Sequence, residues 1–203
     1  MRKSIADIRR EEIIEAFYSV VVQKGHAKAT TREIAEAAGC SPGMLHHYFT
    51  NKEQLLVEAV GFSLKKYEAD LKENTKKTDT ASDRIRYFIS WYSDIKEFDF
   101  KWAINLTEFR TLARSNPAVS RALRDFFNKV KKFLTAQIQK GIKSREFHEV
   151  DAKVTANILL ASLEGMTSLW LIDPKTPVTQ MGQEIERLFL SYLCDQGQDA
   201  TEK

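Results

Sequence analysis

Three observations in the sequence predict an all-α fold. Apolar residues recur at three- and four-residue spacing through most of the chain, and no β-alternation of any length interrupts them. A cap residue followed by proline opens two of these stretches, at Ser41-Pro42 and Asn116-Pro117. Gly25, Gly39 and Asp173-Pro174 close others. The pattern amounts to about nine helices, with no internal repeat.

The first helix is expected from about Ile5 to Lys24, where Ile13, Phe17, Val20, Val21 and Lys24 set the spacing. Thr30 caps the next, and Glu33 stands where a capping-box carboxylate reaches back to the cap amide. Helix Thr31–Ala38 turns Ile34, Ala35 and Ala38 to one side before Gly39. Ser41 caps a third helix, Pro42–Tyr48, anchored by Leu45 and Phe49. Asn51 with Gln54, or equally Thr50 with Glu53, starts a fourth at Lys52, which carries Leu55, Leu56, Ala59, Val60, Phe62, Leu64, Tyr67 and Leu71. The polar stretch Glu73 to Ser82 is the best internal break. Further helices are expected over Asp83–Glu97, Phe100–Arg114, Pro117–Lys143 and Asp151–Ile172, with a last one from near Pro177.

Hydrophobic content of 43% against 29% charged residues describes an ordinary soluble protein. No run of about 18 apolar residues suggests a membrane span, and the N-terminus MRKSIADIRREE has no apolar signal-peptide core. Cys40 and Cys194 make no disulfide framework, which suits the cytoplasm. The net charge of +3 does not argue for nucleic acid, because residues 1–60 carry eight basic and eight acidic side chains. Arg2, Lys3, Arg9 and Arg10 form either a phosphate-touching arm or a solvated tail.

Two short helices joined by a glycine turn, residues 30–49, have the form of a helix-turn-helix, whose second helix enters the DNA major groove. A purely structural hairpin has the same form. Cys40, His46 and His47 lack a fourth ligand at zinc-like spacing, so no metal and no cofactor is expected. None of the four histidines, His26, His46, His47 and His148, stands in a nucleophile motif, and phosphate-cradling glycine loops are missing, so the chain does not read as an enzyme.

TTREIAEAAGCSPGMLHHYFTNKEQLL resembles the DNA-binding motif of the TetR family of bacterial transcription regulators. The shared positions are the Thr-Thr opening, Ile34-Ala35, Ala38-Gly39, Ser41, Gly43, Leu45, Phe49, Lys52 and Leu55. The resemblance implies a DNA-binding domain over residues 1–52, within a family-type region of about 7–67, and a helical effector-binding and dimerisation domain over 53–203. It places DNA contacts at Thr30, Thr31, Arg32, Ser41, Pro42, Gly43, Met44, His46, His47, Tyr48 and Lys52. Thr31 and Lys52 would meet phosphate, Arg32 could read guanine, and Met44 offers a thymine methyl an apolar contact. The common family order has Tyr at position 46 and His at 48, the reverse of this chain, which leaves the roles of His46 and Tyr48 open.

All three Trp and nine of twelve Phe follow residue 80, as either a large core or a ligand cavity. Trp102 to Phe109, the helix after Pro117 and ASLEGMTSLW resemble the choline-responsive betaine-synthesis repressors within the family. The ligand candidates are Trp91, Trp102, Asn105, Glu108, Phe109, Phe127, Glu164 and Trp170; a carboxylate beside Trp would favour a cation. Leu160, Leu163, Glu164, Thr167, Leu188, Phe189, Tyr192 and Leu193 would form either a dimer face or monomer core. The reading is a homodimeric repressor released from a double-stranded DNA operator by a small-molecule effector, with no membrane partner. The rival is a regulator without an effector, controlled by a protein partner or by abundance.

Overall fold

A computed structural model describes residues 4–75, 80–94 and 97–194, excepting the side chains at 67, 71, 74, 75 and 97–102. Among the described residues nine helices run in the order α1 Ile5–Lys24, α2 Thr31–Ala37, α3 Pro42–Tyr48, α4 Lys52–Thr75, α5 Ala81–Ser93, α6 Glu97–Ala113, α7 Pro117–Lys143, α8 Ala152–Ile172 and α9 Val178–Cys194. They contain no strand. The all-α expectation holds.

Side-chain caps set most helix starts. Ser4 and Asp7 form a capping box on α1, and Thr30 and Glu33 form one on α2. Asn116 Oδ1 accepts from the Ala118 and Val119 amides at 3.0 and 3.2 Å. Asp151 Oδ1 does the same for Lys153 and Val154. Gly39, at φ 60, makes the left-handed turn that lets Cys40 N–H reach the Ala35 carbonyl at 2.9 Å. At α4 the Gln54 amide goes to Asn51 Oδ1 (2.8 Å), while Gln54 Oε1 accepts the Thr50 amide (2.7 Å). Glu53 is left to accept from the Asn116 side-chain amide at 2.8 Å.

Four boundaries in the middle of the chain differ from the sequence expectation. The fourth helix continues to Thr75, α5 begins at Ala81 behind a Thr80 cap and ends at Ser93, and α6 begins at Glu97. The apolar pattern marks only the packed turns, and polar end turns built from helix-favouring Lys and Glu escape it.

The chain packs as two compact units. One joins Met1–Ala69 to Lys96–Phe126, and the other joins Asp70–Ile95 to Phe127–Lys203; the division falls within α4 and within α7. In the first unit Ile13, Phe17, Ile34, Leu45, Phe49 and Leu55 are fully buried. Phe109 of α6 joins them, its ring 6.0 Å from that of Tyr18. Each such side chain contributes ~1.5–3 kcal/mol on burial, so α6 adds core that three short helices lack.

The second unit packs α5, α8 and α9 with the later turns of α7, burying Phe88, Ile89, Leu134, Ile138, Leu159, Leu163 and Leu193. Among the described residues α8 is the one helix long and apolar enough to cross a membrane by length and composition, against the expectation of no such stretch. Its mean hydropathy of 1.2 comes without an unbroken apolar run, because Ala, Ser, Gly and Thr separate its large side chains. Those large side chains include Leu159, Leu163 and Met166, which lie in the core.

Gly182 of α9 passes so close to α5 that a Cβ there would stand 2.2 Å from Ser93 Cβ. Gly182→Ala should destabilise the chain by ~1–3 kcal/mol in urea unfolding, and Ser93→Gly in the same chain should return part of that loss.

Candidate nucleic-acid interface

The two-helix motif is built by caps on one side and core anchors on the other. Ser41 Oγ accepts the Met44 amide at 3.1 Å, and Pro42 takes the first helical position. Leu45 and Phe49 are buried, which turns Pro42, Gly43, Met44, His46 and His47 outward. Tyr48 is half-buried, with its ring edge-on to His47 at 5.4 Å. On α2, Ile34 and Ala35 face inward, Thr31 is half-buried and Arg32 is exposed. The structure thus brings Arg32 and the outer face of α3 onto one motif, a shape able to enter a groove 12 Å wide, roughly that of B-DNA.

The turn between α1 and α2 is clamped from two helices. Glu108 of α6 accepts the His26 amide at 3.3 Å, and the Lys52 ammonium donates to the His26 carbonyl. Burial pushes the Lys52 pKa down. His26 lies edge-on to Phe17 with its Nε2 buried and without a hydrogen-bond partner. Burial first, then the Lys52 charge, lowers its pKa, with Glu108 opposing. Lys52 therefore acts in the fold as a tie to the turn. Nothing in residue spacing pointed to His26, because its role comes from contacts made by residues 26 and 82 positions away.

The other cations of this region are largely committed too. Arg10 Nη2 donates to both carboxylate oxygens of Glu58, and its guanidinium lies 4.8 Å over the Phe49 ring, so it fastens α1 to α3 and α4. Arg9 pairs with Glu12, and Lys24 with Glu33. Arg2 and Lys3 lie outside the described residues. Among the described residues up to 60, Lys28 and Arg32 alone keep cationic groups without a partner. Cys40 is half-buried in the turn, and no three metal-ligating side chains converge among the described residues.

The ligand candidates divide between the units. Asn105 and Phe109 are buried and Glu108 half-buried in the first, to which Trp102 also belongs, its side chain lying outside the described residues. Trp91, Phe127, Glu164 and Trp170 are half-buried in the second. There the Tyr92 hydroxyl donates to Glu164 Oε1 at 2.8 Å, and Trp91 meets the Tyr92 ring at 5.3 Å.

Leu160, Leu163 and Leu193 are buried in the second unit's own core, where α8 packs on α9, so they cannot present an outer face. Thr167 and Glu164 are half-buried. Leu188 and Tyr192 are exposed, and with Phe189, Val154 and Ile158 they line a groove of about 330 Å³. Val154 and Ile158 escaped the sequence reading, although their four-residue spacing on an apolar helix is the signal that would have found them.

Residues 13–59 match a family model described as bacterial regulatory proteins, tetR family. Residues 81–195 match one described as BetI-type transcriptional repressor, C-terminal. The fatty acid metabolism regulator protein of Bacillus subtilis (strain 168) is 24% identical over 90% of this chain and 94% of its own length. The HTH-type transcriptional regulator BetI of Brucella canis is 29% identical over 58% of this chain and 59% of its own. Two solved structures share the fold. A putative transcriptional regulator from Saccharomonospora viridis in complex with choline superposes with a TM-score of 0.86 at 19% identity, covering 92% of this chain and 98% of that one. FadR from Bacillus subtilis in complex with stearoyl-CoA gives 0.78 at 22%, covering 90% and 98%.

The capping box carries a pH signature. The Lys24 ammonium, then the Thr30 amide and hydroxyl, hold the Glu33 carboxyl down at about 2, against an ordinary 4.5. As pH falls the unfolded chain takes up this proton first, so the stabilisation is whole above about 4.5 and lost by about 2. Glu33→Gln should flatten that part of the stability-versus-pH curve and leave the neutral-pH slope unaltered, as followed by thermal unfolding.

Proposed function

The chain belongs to the TetR family of bacterial regulatory proteins, with a BetI-type C-terminal region, and from that premise we propose a homodimeric repressor that a small-molecule effector releases from its operator. The observation that carries this is the α2–α3 motif, anchored by Leu45 and Phe49 and turning Arg32, Gly43, Met44, His46 and His47 to solvent. Arg32 supplies base-edge reading, and the starts of α2 and α4, through Thr30, Thr31 and the backbone amide of Lys52, supply phosphate contact. Ser41 and Pro42 fix the angle of α3, while His46, His47 and Tyr48 line its outer side and end. Two copies would place two such helices on half-sites about one helical turn (~34–36 Å) or more apart. The exposed Leu188, Tyr192, Val154 and Ile158 supply an apolar face for that pairing. The DNA-binding part occupies residues 1–52 and the effector and dimerisation part 53–203, acting in the cytoplasm where the DNA is. Regulation, with no catalysis and no cofactor, is its role.

The test is fluorescence anisotropy on DNA from upstream of its own gene, or on an operator selected from random duplexes. Nanomolar binding that resists competitor is the expected result. Arg32→Ala should lose discrimination between operator and random DNA, by ~1–3 kcal/mol at the position it reads. Lys52→Ala should lose affinity on both alike and also lower the melting temperature, since its ammonium holds the His26 carbonyl. Failure to select any operator sinks the reading.

For the effector we favour a small organic cation of the choline class. A carboxylate held by a phenol next to an indole, as Glu164 is by Tyr92 beside Trp91, matches that chemistry through charge and ring faces. Choline should lower operator affinity of the wild type, and Glu164→Gln should blunt that response while binding DNA unaided as before. An unchanged choline response in Glu164→Gln removes Glu164 from the site. Release by a fatty acyl-CoA and not by choline removes the cation class.

A further inference from the structure

The first unit carries a second concentration of uncommitted positive charge, away from the helix pair. The turn from α6 to α7 and the opening turns of α7 form an open groove of about 420 Å³ lined by Arg114, Ser115, Pro117, Ser120, Arg121 and Arg124. All three arginines are exposed, and none of their guanidinium groups has a hydrogen bond or ion pair among the described residues. Arg121 and Arg124 stand three residues apart on one helix face, so both guanidinium groups reach the same side. The amides of Ala118 and Val119 are already taken by Asn116 Oδ1, so the arginines and not the helix end make the site.

We propose that this groove binds the DNA sugar-phosphate backbone, one or more phosphates beyond those the helix pair reaches. The inference rests on the reading of the chain as a DNA-binding regulator and adds a contact to it. Two observations select DNA over a small anion. The groove belongs to the same compact unit as the motif, and Asn116, between its lining residues Ser115 and Pro117 in the chain, donates to Glu53, the residue after Lys52 at the start of α4. On the proposed reading that helix start meets phosphate, and a duplex lying along it would run toward the α7 turn. The second observation is charge. Arg9, Arg10, Lys24 and Lys52 are tied up within the fold, leaving the motif Lys28 and Arg32, too few for the phosphate neutralisation that DNA affinity rests on. The arginines of the groove make up that number, and their forked donors suit phosphate oxygens.

The experiment compares full-length wild type with the triple variant Arg114→Gln, Arg121→Gln, Arg124→Gln. Salt-dependent affinity is measured on the selected operator with long flanks, on the same operator trimmed to its edges, and on random duplex. The variant should weaken operator and random DNA by the same factor, keeping their ratio. Its log-affinity versus log-salt slope should be smaller by about 1–2 on long duplexes. The loss should shrink on the trimmed operator. Equal slopes and affinities for the two proteins on long random duplex overturn the proposal, and that arm can be read whether or not an operator is found. A variant that keeps the slope but loses thermal protection by coenzyme A overturns it as well, and makes the groove a small-phosphate site. Arg32→Ala, measured alongside, tests the helix pair separately: lost discrimination with an unchanged groove effect keeps the two conclusions apart.

Discussion

The backbone of His26 is the point on which the DNA-binding end depends. Its amide goes to Glu108 on α6 and its carbonyl to Lys52 on α4, so one peptide pair joins the end of α1 to two other helices. The motif helices are seven residues each, shorter than any helix that is stable alone in water. They hold their shape because Leu45, Phe49 and Ile34 enter a core closed by α1 and α4, and because the turn before them cannot drift. Arg10, paired with Glu58 and stacked on Phe49, closes the same structure from the other end of α1.

This way of building has an electrostatic consequence. Cations that sequence alone offers to DNA are used instead to fasten helices, and their acidic partners explain why residues 1–60 balance to neutrality. A half-exposed ion pair such as Arg10–Glu58 contributes little by itself, on the order of 1 kcal/mol or less. Its two charge-assisted bonds from one nitrogen and the ring beneath it matter more, since together they hold α1 against the motif. Affinity for a polyanion then comes from placement of a few unpaired cations and not from bulk charge.

What the sequence made legible was local. Thr30 with Glu33, Ser41 with Pro42 and Asn116 with Pro117 announced their helix starts because a cap and its partner lie within three residues. The core anchors Leu45 and Phe49 were legible for the same reason, through helical spacing. Lys52 shows where such reading stops. Its position at a helix start fits phosphate contact, yet its ammonium is bonded to a carbonyl 26 residues earlier. His26, Glu108 and the Arg10–Glu58 pair belong to the same class, since their meaning lies in partners that no period encodes. On α8 and α9 the sequence identified an apolar surface but not its orientation. Leu160, Leu163 and Leu193 face the core, while Val154, Ile158, Leu188 and Tyr192 face out.

The clamp on His26 also sets a scale for regulation. Withdrawing Glu108 leaves a half-buried amide without its acceptor, which costs about 1–3 kcal/mol where water cannot replace it. Coupling energies between effector and DNA sites in regulators are about the same size. A displacement of α6 too small to disturb the packing of Phe109 on Tyr18 is therefore enough, in energy, to release the turn that positions α2. The buried Nε2 of His26 sharpens this, since it gives the ring no second anchor when the backbone ties are lost. An effector that favoured an α6 position with Glu108 out of reach would release the turn, and an operator that favoured the bonded position would then weaken effector binding by the same factor.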